Sequence, residues 1–221
     1  MKIKRDYGKV ELSVDKNLDY YNNNAMAYYD ESQLFNMKDI CDDFLKIANI
    51  PEGSKILDAG CGSGRESVFF RDKGFEVTAV DGSEELVKIC NEKHNLNAEV
   101  VNFADMKFNN EFDAVWCCAA LLHLPEAEFE IAVANLANAL KEDGTMYFSI
   151  KKLPDNFMED TRGRTFYNVG IDKMHEIFAQ NNLELVSYYE TGKQTEKTQM
   201  FENYLLKKVD IEAVRKINKG E

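Results

Sequence analysis

Apolar residues come along this chain in two patterns: short runs bounded by glycine and polar turns, and longer stretches in which they recur every three or four positions. Runs of the first kind suit strands of a sheet covered on both faces; stretches of the second suit amphipathic helices. Ile56-Leu57, Phe75 to Val80, Ala98 to Val101, Phe112 to Trp116 and Thr145 to Ile150 predict five strands, the last set off by an Asp143-Gly144 turn. Between them, Glu66 to Asp72, Leu86 to His94 and Glu126 to Leu140 predict helices. Ser83 is placed to cap the second, with Glu84 and Glu85 in its first turn, and Pro125 opens the third. This alternation predicts a doubly wound, mostly parallel α/β sheet. Its rhythm changes after Ile150. A long connection, Lys151 to Tyr167, leads to a helix at Ile171 to Gln180 and then to two strands in succession, Leu183 to Tyr189 and Met200 to Lys207.

Ahead of the sheet, Met37 to Ala48 carries Ile40, Phe44, Ile47 and Ala48 on one stripe and predicts a docked helix. Asp19 to Asp30 holds the pairs Tyr20-Tyr21 and Tyr28-Tyr29 at a spacing of eight, so one ring of each pair shares a helical face. Met1 to Asn17 is polar and without period, a partly ordered arm. The expected organisation is an arm and helical cap over residues 1–50, one sheet domain over 51–207, and a charged tail over 208–221.

Composition narrows the classes of function. A chain of 221 residues with 44% hydrophobic positions suffices for one domain with a full core. The net charge of −12 argues against a general nucleic-acid binder, since phosphate contacts need a basic surface. None of the five cysteines stands in a C-x-x-C pair, and Cys117 and Cys118 are adjacent, so neither a zinc site nor a disulfide framework is indicated. A reducing, cytoplasmic setting is expected. The N-terminus lacks the apolar run of a signal peptide, and no stretch is long enough to span a membrane.

The chemistry concentrates in KILDAGCGSGRES, Lys55 to Ser67. Asp58 ends an apolar strand, and Gly60, Gly62 and Gly64 follow at alternate positions before a helix begins. Glycines so placed let the backbone turn sharply and lie against a ligand, and a strand-to-helix turn of this kind most often marks a nucleotide site. A dinucleotide would bring its pyrophosphate to the helix N-terminus. Asp58 would sit poorly beside that group and well beside an ammonium. S-adenosylmethionine carries adenosine at one end and an amino acid at the other.

The residues D-A-G-C-G-S-G, followed by Asp81 at the end of the next strand, closely resemble motifs one and two of the class I S-adenosylmethionine-dependent methyltransferases. The resemblance covers roughly Ile50 to Ile150. It implies a seven-stranded sheet closed by a C-terminal antiparallel hairpin, with S-adenosylmethionine as cofactor. Asp58, Gly60, Gly62 and Arg65 are then expected at its methionine end, with Arg65 free to reach the carboxylate or an anionic acceptor. Asp81 and Gly82 fall at the ribose; the other role open to Asp81, a helix cap, is one that Ser83 already fits. Asp105 and the amide of Met106 would read adenine, unless Asp105 only makes a turn. The small residues Cys117 to Ala120 let ligand and backbone approach where the methyl group should lie, with Cys118 against the cofactor and Leu121 and Leu122 walling the site.

On the acceptor side, Tyr20 and Tyr28 are the positions matched to a tyrosine-bearing segment that lies over cofactor and substrate in the family, with Tyr21 beside the substrate. The alternative is that these rings only pack the cap onto the core. His123 either takes a proton from the acceptor or caps and packs the following helix. Arg162 and Arg164 either bind an anionic acceptor in forked geometry or pair with Glu159 and Asp160. GSGRES, CCAALLHLP and GRTF together look most like the small bacterial methyltransferases grouped with tellurite-resistance enzymes, which methylate small oxyanions or soft acceptors. The expectation is thus a methyltransferase acting on a small, anionic molecule, as a monomer or weak homodimer. A tRNA or protein methyltransferase and a non-catalytic cofactor-binding regulator are the alternatives; a nicotinamide oxidoreductase is disfavoured by Asp58 and by the terminal hairpin.

Overall fold

The computed structural model describes residues 16–192 and 200–209. Residues 210–221 of the predicted charged tail and most of the N-terminal arm lie outside the described residues, and Lys208, expected in the tail, ends the last strand. The chain enters through helices α1 (Lys16–Asn23), α2 (Ala25–Ser32) and α3 (Lys38–Ala48). It then alternates: β1 (Lys55–Ala59), α4 (Arg65–Asp72), β2 (Glu76–Asp81), α5 (Glu84–His94), β3 (Glu99–Val100), β4 (Phe112–Cys117), α6 (Glu126–Ala139) and β5 (Leu140–Lys151). A small hairpin, β6 (Phe157–Glu159) and β7 (Thr165–Tyr167), occupies the long connection. Helix α7 (Ile171–Gln180) and strands β8 (Leu183–Thr191) and β9 (Phe201–Lys208) complete the fold.

The seven strands of the main sheet lie in the order β3-β2-β1-β4-β5-β9-β8. The first five are parallel, β9 runs antiparallel to β5, and β8 runs antiparallel to β9. Alternation along each strand sends side chains to two buried faces. Ile56, Ala114, Trp116, Tyr147 and Leu205 meet α3 and α4 through Cys41, Phe44 and Phe70. Leu57, Val115, Phe148 and Leu206 meet α6 and α7 through Phe129, Leu136, Ile177 and Phe178. Trp116 stacks on Tyr147 with ring centroids 4.0 Å apart, and Phe148 on Tyr204 at 4.8 Å. Burial of each such ring stabilises the sheet by roughly 1.5–3 kcal/mol.

Three local features differ from the sequence expectation. The Asp143-Gly144 turn lies inside β5: Phe112 pairs with Leu140 and Ala114 with Thr145, so Lys141 to Gly144 bulge out, with Asp143 at a φ of 62°. The connection after β5 is a paired hairpin rather than a plain loop. The tyrosine segment is two helices, because Asn24 interrupts it; its side-chain amide donates to the Tyr20 carbonyl at 2.8 Å and so satisfies the end of α1. Together α1 and α2 rest on α5, where Ala25, Leu86 and Ile89 are buried with Tyr21, Tyr28 and Tyr29 against them. No described helix is long and apolar enough to cross a membrane.

Candidate active site

Strand β1 ends in a turn that the neighbouring strand holds in place: the amides of Gly60 and Cys61 both donate to the Val80 carbonyl, at 2.8 and 3.0 Å. Gly60 has a φ of 76°, and a β-carbon on it would lie 2.4 Å from that of Ala120, at the end of β4. At Gly62, with a φ of 55°, a β-carbon would stand 3.4 Å from the Tyr28 ring, inside the space a ligand needs. The turn is braced from β2. Asp81 accepts the Gly62 amide at Oδ2 and the Ser83 amide at Oδ1, both at 2.8 Å. Each oxygen keeps a lone pair for a further donor, so the carboxylate can receive a pair of hydroxyls.

These elements bound a cavity of about 300 Å³ at the carboxyl edge of the sheet, the place where open α/β sheets bind ligands. Gly60 and Gly62 form its floor, Asp81 and Gly82 one side, and Asn102 to Asp105 the far end; Cys118 to Ala120 and His123 make the opposite wall, with Tyr21 and Tyr28 as its roof. Ala119 has a φ of 51°, a left-handed conformation that costs a non-glycine residue free energy, and its amide is held by Ser149 Oγ at 3.0 Å. The charges on the lining are all acidic: Asp81, Asp105 and Glu128, with no lysine or arginine among them. A diol acceptor, an apolar slot of Leu86, Val101 and Phe103, and negative charge throughout fit a nucleoside attached to a cation. They do not fit a pyrophosphate.

Several of the residues singled out from the sequence do not line the cavity. Asp58 is buried behind the glycine turn, where its Oδ2 accepts a hydrogen bond from Ser67; burial and the nearby Glu66 push its carboxyl up to about 8. Arg65 is drawn away by Glu66 and by the Ser32 carbonyl, and so clamps α2 to the turn. Met106 points into the core among Phe112 and Val115. Tyr20 faces outward over Arg164, 5.1 Å from its guanidinium, while Tyr21 and Tyr28, seven residues and so about two turns apart, share the roof with their rings 5.1 Å apart. Arg162 pairs with Glu31 at 2.8 Å, and Arg164 forks onto Asp160 at 2.9 and 2.7 Å. Leu121 and Leu122 also turn into the core, while Leu124 reaches the cavity. Asn17, Leu18, Asn102 and Phe103 line it although no motif marks them; polar or apolar singletons in loops and caps carry no spacing signal.

The acceptor wall is organised around His123. Its Nδ1 lies 2.8 Å from the Thr165 carbonyl, which can only accept, so Nδ1 carries the proton and Nε2 the lone pair. The Tyr21 hydroxyl stands 2.9 Å from Nε2 and donates to it. Burial, with Arg164 and Lys151 nearby, pulls His123 down to about 4, and burial pushes Tyr21 up to about 12, so both are neutral at physiological pH. Asn17 pins the arrangement from above: its amide donates to Thr165 Oγ1 at 2.9 Å and accepts the Thr165 amide at 2.8 Å.

The family described as "Methyltransferase domain" matches residues 56–144, from β1 into β5. Residues 56–144 carry a methyltransferase domain. Over 60% of the chain, sequence identity is 28% with a protein of Staphylococcus carnosus described as an uncharacterized methyltransferase. The chain spans about half to two thirds of the length of the curated relatives it matches first. In fold, the methyltransferase domain and its cap are similar to the 1,6-didemethyltoxoflavin-N1-methyltransferase of Burkholderia thailandensis, solved with its substrate and S-adenosylhomocysteine: the TM-score is 0.69, with 16% identity, 90% of this chain and 92% of that one covered. They are also similar to a TehB-like methyltransferase of Corynebacterium glutamicum, with a TM-score of 0.61, 22% identity, and 84% and 98% of the two chains covered.

Proposed function

We propose that this chain transfers a methyl group from S-adenosylmethionine to a small, anionic acceptor in the cytoplasm. The observation that carries the cofactor assignment is the cavity lining: a glycine-turn site with three carboxylates and no cation suits an adenosyl amino acid bearing a sulfonium, and not NAD. Bound there, S-adenosylmethionine supplies the electrophilic methyl group. The glycine turn admits the methionine portion closely, Asp81 receives the ribose hydroxyls, and Asp105 at the far end stands where adenine would be read. Asp58 braces the turn from behind through its hydrogen bond with Ser67 and does not act by contact.

The work left to the chain is alignment, exclusion of water and management of one proton. Tyr21 and Tyr28 roof the wall formed by Cys118 to Ala120. An acceptor hydroxyl, amine or thiol placed there passes its proton to the Tyr21 oxygen as Tyr21 gives its own to Nε2 of His123. The Thr165 carbonyl holds the imidazole in the tautomer that can accept it. A tRNA acceptor gains no support from the surface, since Lys152, Arg162 and Arg164 are each paired with a carboxylate instead of forming a basic groove.

Calorimetric titration with S-adenosylmethionine, S-adenosylhomocysteine and NAD tests the reading. Micromolar binding of the first two and none of NAD is expected. Binding of NAD, or of none of the three, overturns it.

A further inference from the structure

Lys151 is the last residue of β5 and is 6% exposed. Its ammonium lies 3.3 Å from the centroid of the Phe166 ring, and no carboxylate or hydrogen-bond acceptor among the described residues reaches it. An ammonium removed from water without a counterion is costly, and an aromatic face offsets only part of that cost. The position of Lys151 gives the cost a use. Alternate residues of a strand share a face, so Lys151 projects to the same side as Ser149, whose Oγ is bonded to Cys118 Sγ and to the Ala119 amide on the cavity wall. Lys151 stands one pleat nearer the open edge of the sheet. Phe166 connects it to the proton relay, with its ring 4.9 Å from that of His123.

The charges around this point do not balance. Arg164 lies 5.4 Å from the Phe166 ring, and Asp160 is committed to Arg164 by a forked pair. One carboxylate therefore serves two cations, in a protein whose net charge is −12. Opposite the acidic cofactor cavity stands a buried, unmatched positive charge.

We propose that Lys151 binds the anionic group of the methyl acceptor, a carboxylate or similar oxyanion, and is the residue that restricts the substrate to anions. Arg65, Arg162 and Arg164 are paired with Glu66, Glu31 and Asp160, which leaves Lys151 as the buried cation with no carboxylate partner among the described residues. This rests on the methyltransferase reading for there to be an acceptor at all. The electrostatics agree with the geometry: burial and Arg164, against a smaller opposing effect of Asp160, pull Lys151 down to about 8, and a bound anion would raise it again. The other groups that face it, His123 and Phe166, are uncharged at that pH.

The test uses the full chain with isotope-labelled lysine, with and without S-adenosylhomocysteine, and benzoate, acetate and phosphate as probes. At least one of these anions is expected to bind and to raise the Lys151 titration midpoint, while benzyl alcohol leaves it unmoved. Lys151→Met, which keeps the length of the buried chain, should weaken that anion by about tenfold or more and leave S-adenosylhomocysteine affinity as in the wild type. The proposal is overturned if no anion moves the Lys151 signal, or if Lys151→Met binds the anion as tightly as the wild type. Should S-adenosylhomocysteine fail to bind, the methyltransferase reading falls instead, and anion titration of the cofactor-free chain still decides whether Lys151 is an anion site.

Discussion

The Tyr21 hydroxyl donates to Nε2 of His123 at 2.9 Å, joining the helical cap to the end of β4 across 102 residues of chain. Burial is the main cause that holds His123 unprotonated, and the Tyr21 bond, made to the neutral imidazole, favours the same form. Tyr21→Phe removes that bond. The His123 midpoint, near 4 in the parent, should then move up toward its ordinary 6.5, as read by NMR of the imidazole.

His123 also gives stability a pH dependence whose sign is fixed. Between about pH 4 and 6.5 the unfolded chain binds a proton at this residue and the folded chain does not. Its contribution is therefore complete above 6.5 and is lost as pH falls through that window, on the order of 3 kcal/mol in all. Urea unfolding of the parent and of His123→Gln at pH 4.5 and 7 checks this; the variant should show the smaller difference between the two.

Asp81 meets two backbone amides and, in the proposed complex, two hydroxyls. Asp81→Ala should weaken S-adenosylhomocysteine by about 1–3 kcal/mol in calorimetry. An unchanged affinity would remove Asp81 from the site.

Two glycines with similar backbones separate strain from crowding. Gly53 has a φ of 83° and nothing within 4 Å of where a β-carbon would stand, whereas Gly60 has a φ of 76° and Ala120 at 2.4 Å. Gly53→Ala should cost about 1 kcal/mol, from backbone strain alone. Gly60→Ala should cost about 1–3 kcal/mol more and abolish cofactor binding, as measured by denaturant unfolding and calorimetry.

Asn17 fastens α1 to β7 with a carboxamide that both donates and accepts. Asn17→Asp retains the acceptor and turns a second oxygen toward the Thr165 carbonyl and hydroxyl. Stability should fall by about 1–3 kcal/mol, with faster hydrogen exchange over residues 16–23.

The strands and the glycine turn are legible in the sequence because their signals are local: apolar runs, a spacing of glycines, an acid at the end of β2. The seven-stranded sheet and its closing hairpin follow the family resemblance. What escapes depends on contacts far apart in sequence. Matching Tyr20 to the site follows the spacing of eight between the tyrosine pairs, whereas 3.6 residues per turn sets Tyr21 and Tyr28, seven apart, more nearly on one face. Arg65 has the right position for a carboxylate, but its neighbour Glu66 takes it. Leu121 and Leu122 fall within a tight turn that rotates them inward. Lys151 reads as one more cation in a loop, since nothing in the sequence says that β5 continues far enough to bury it.

The groups that surround His123 come from outside residues 56–144: Tyr21 precedes that span, and Lys151, Thr165 and Phe166 follow it. Under the proposed function, most of the cofactor side and the choice of acceptor fall to separable stretches of one chain. A graft that exchanged only the stretch after residue 144 with that of a relative is expected to alter the preference for substrate while leaving the lining of the adenosyl pocket, which ends at Glu128, in place, a division that lets one scaffold be retuned without being rebuilt.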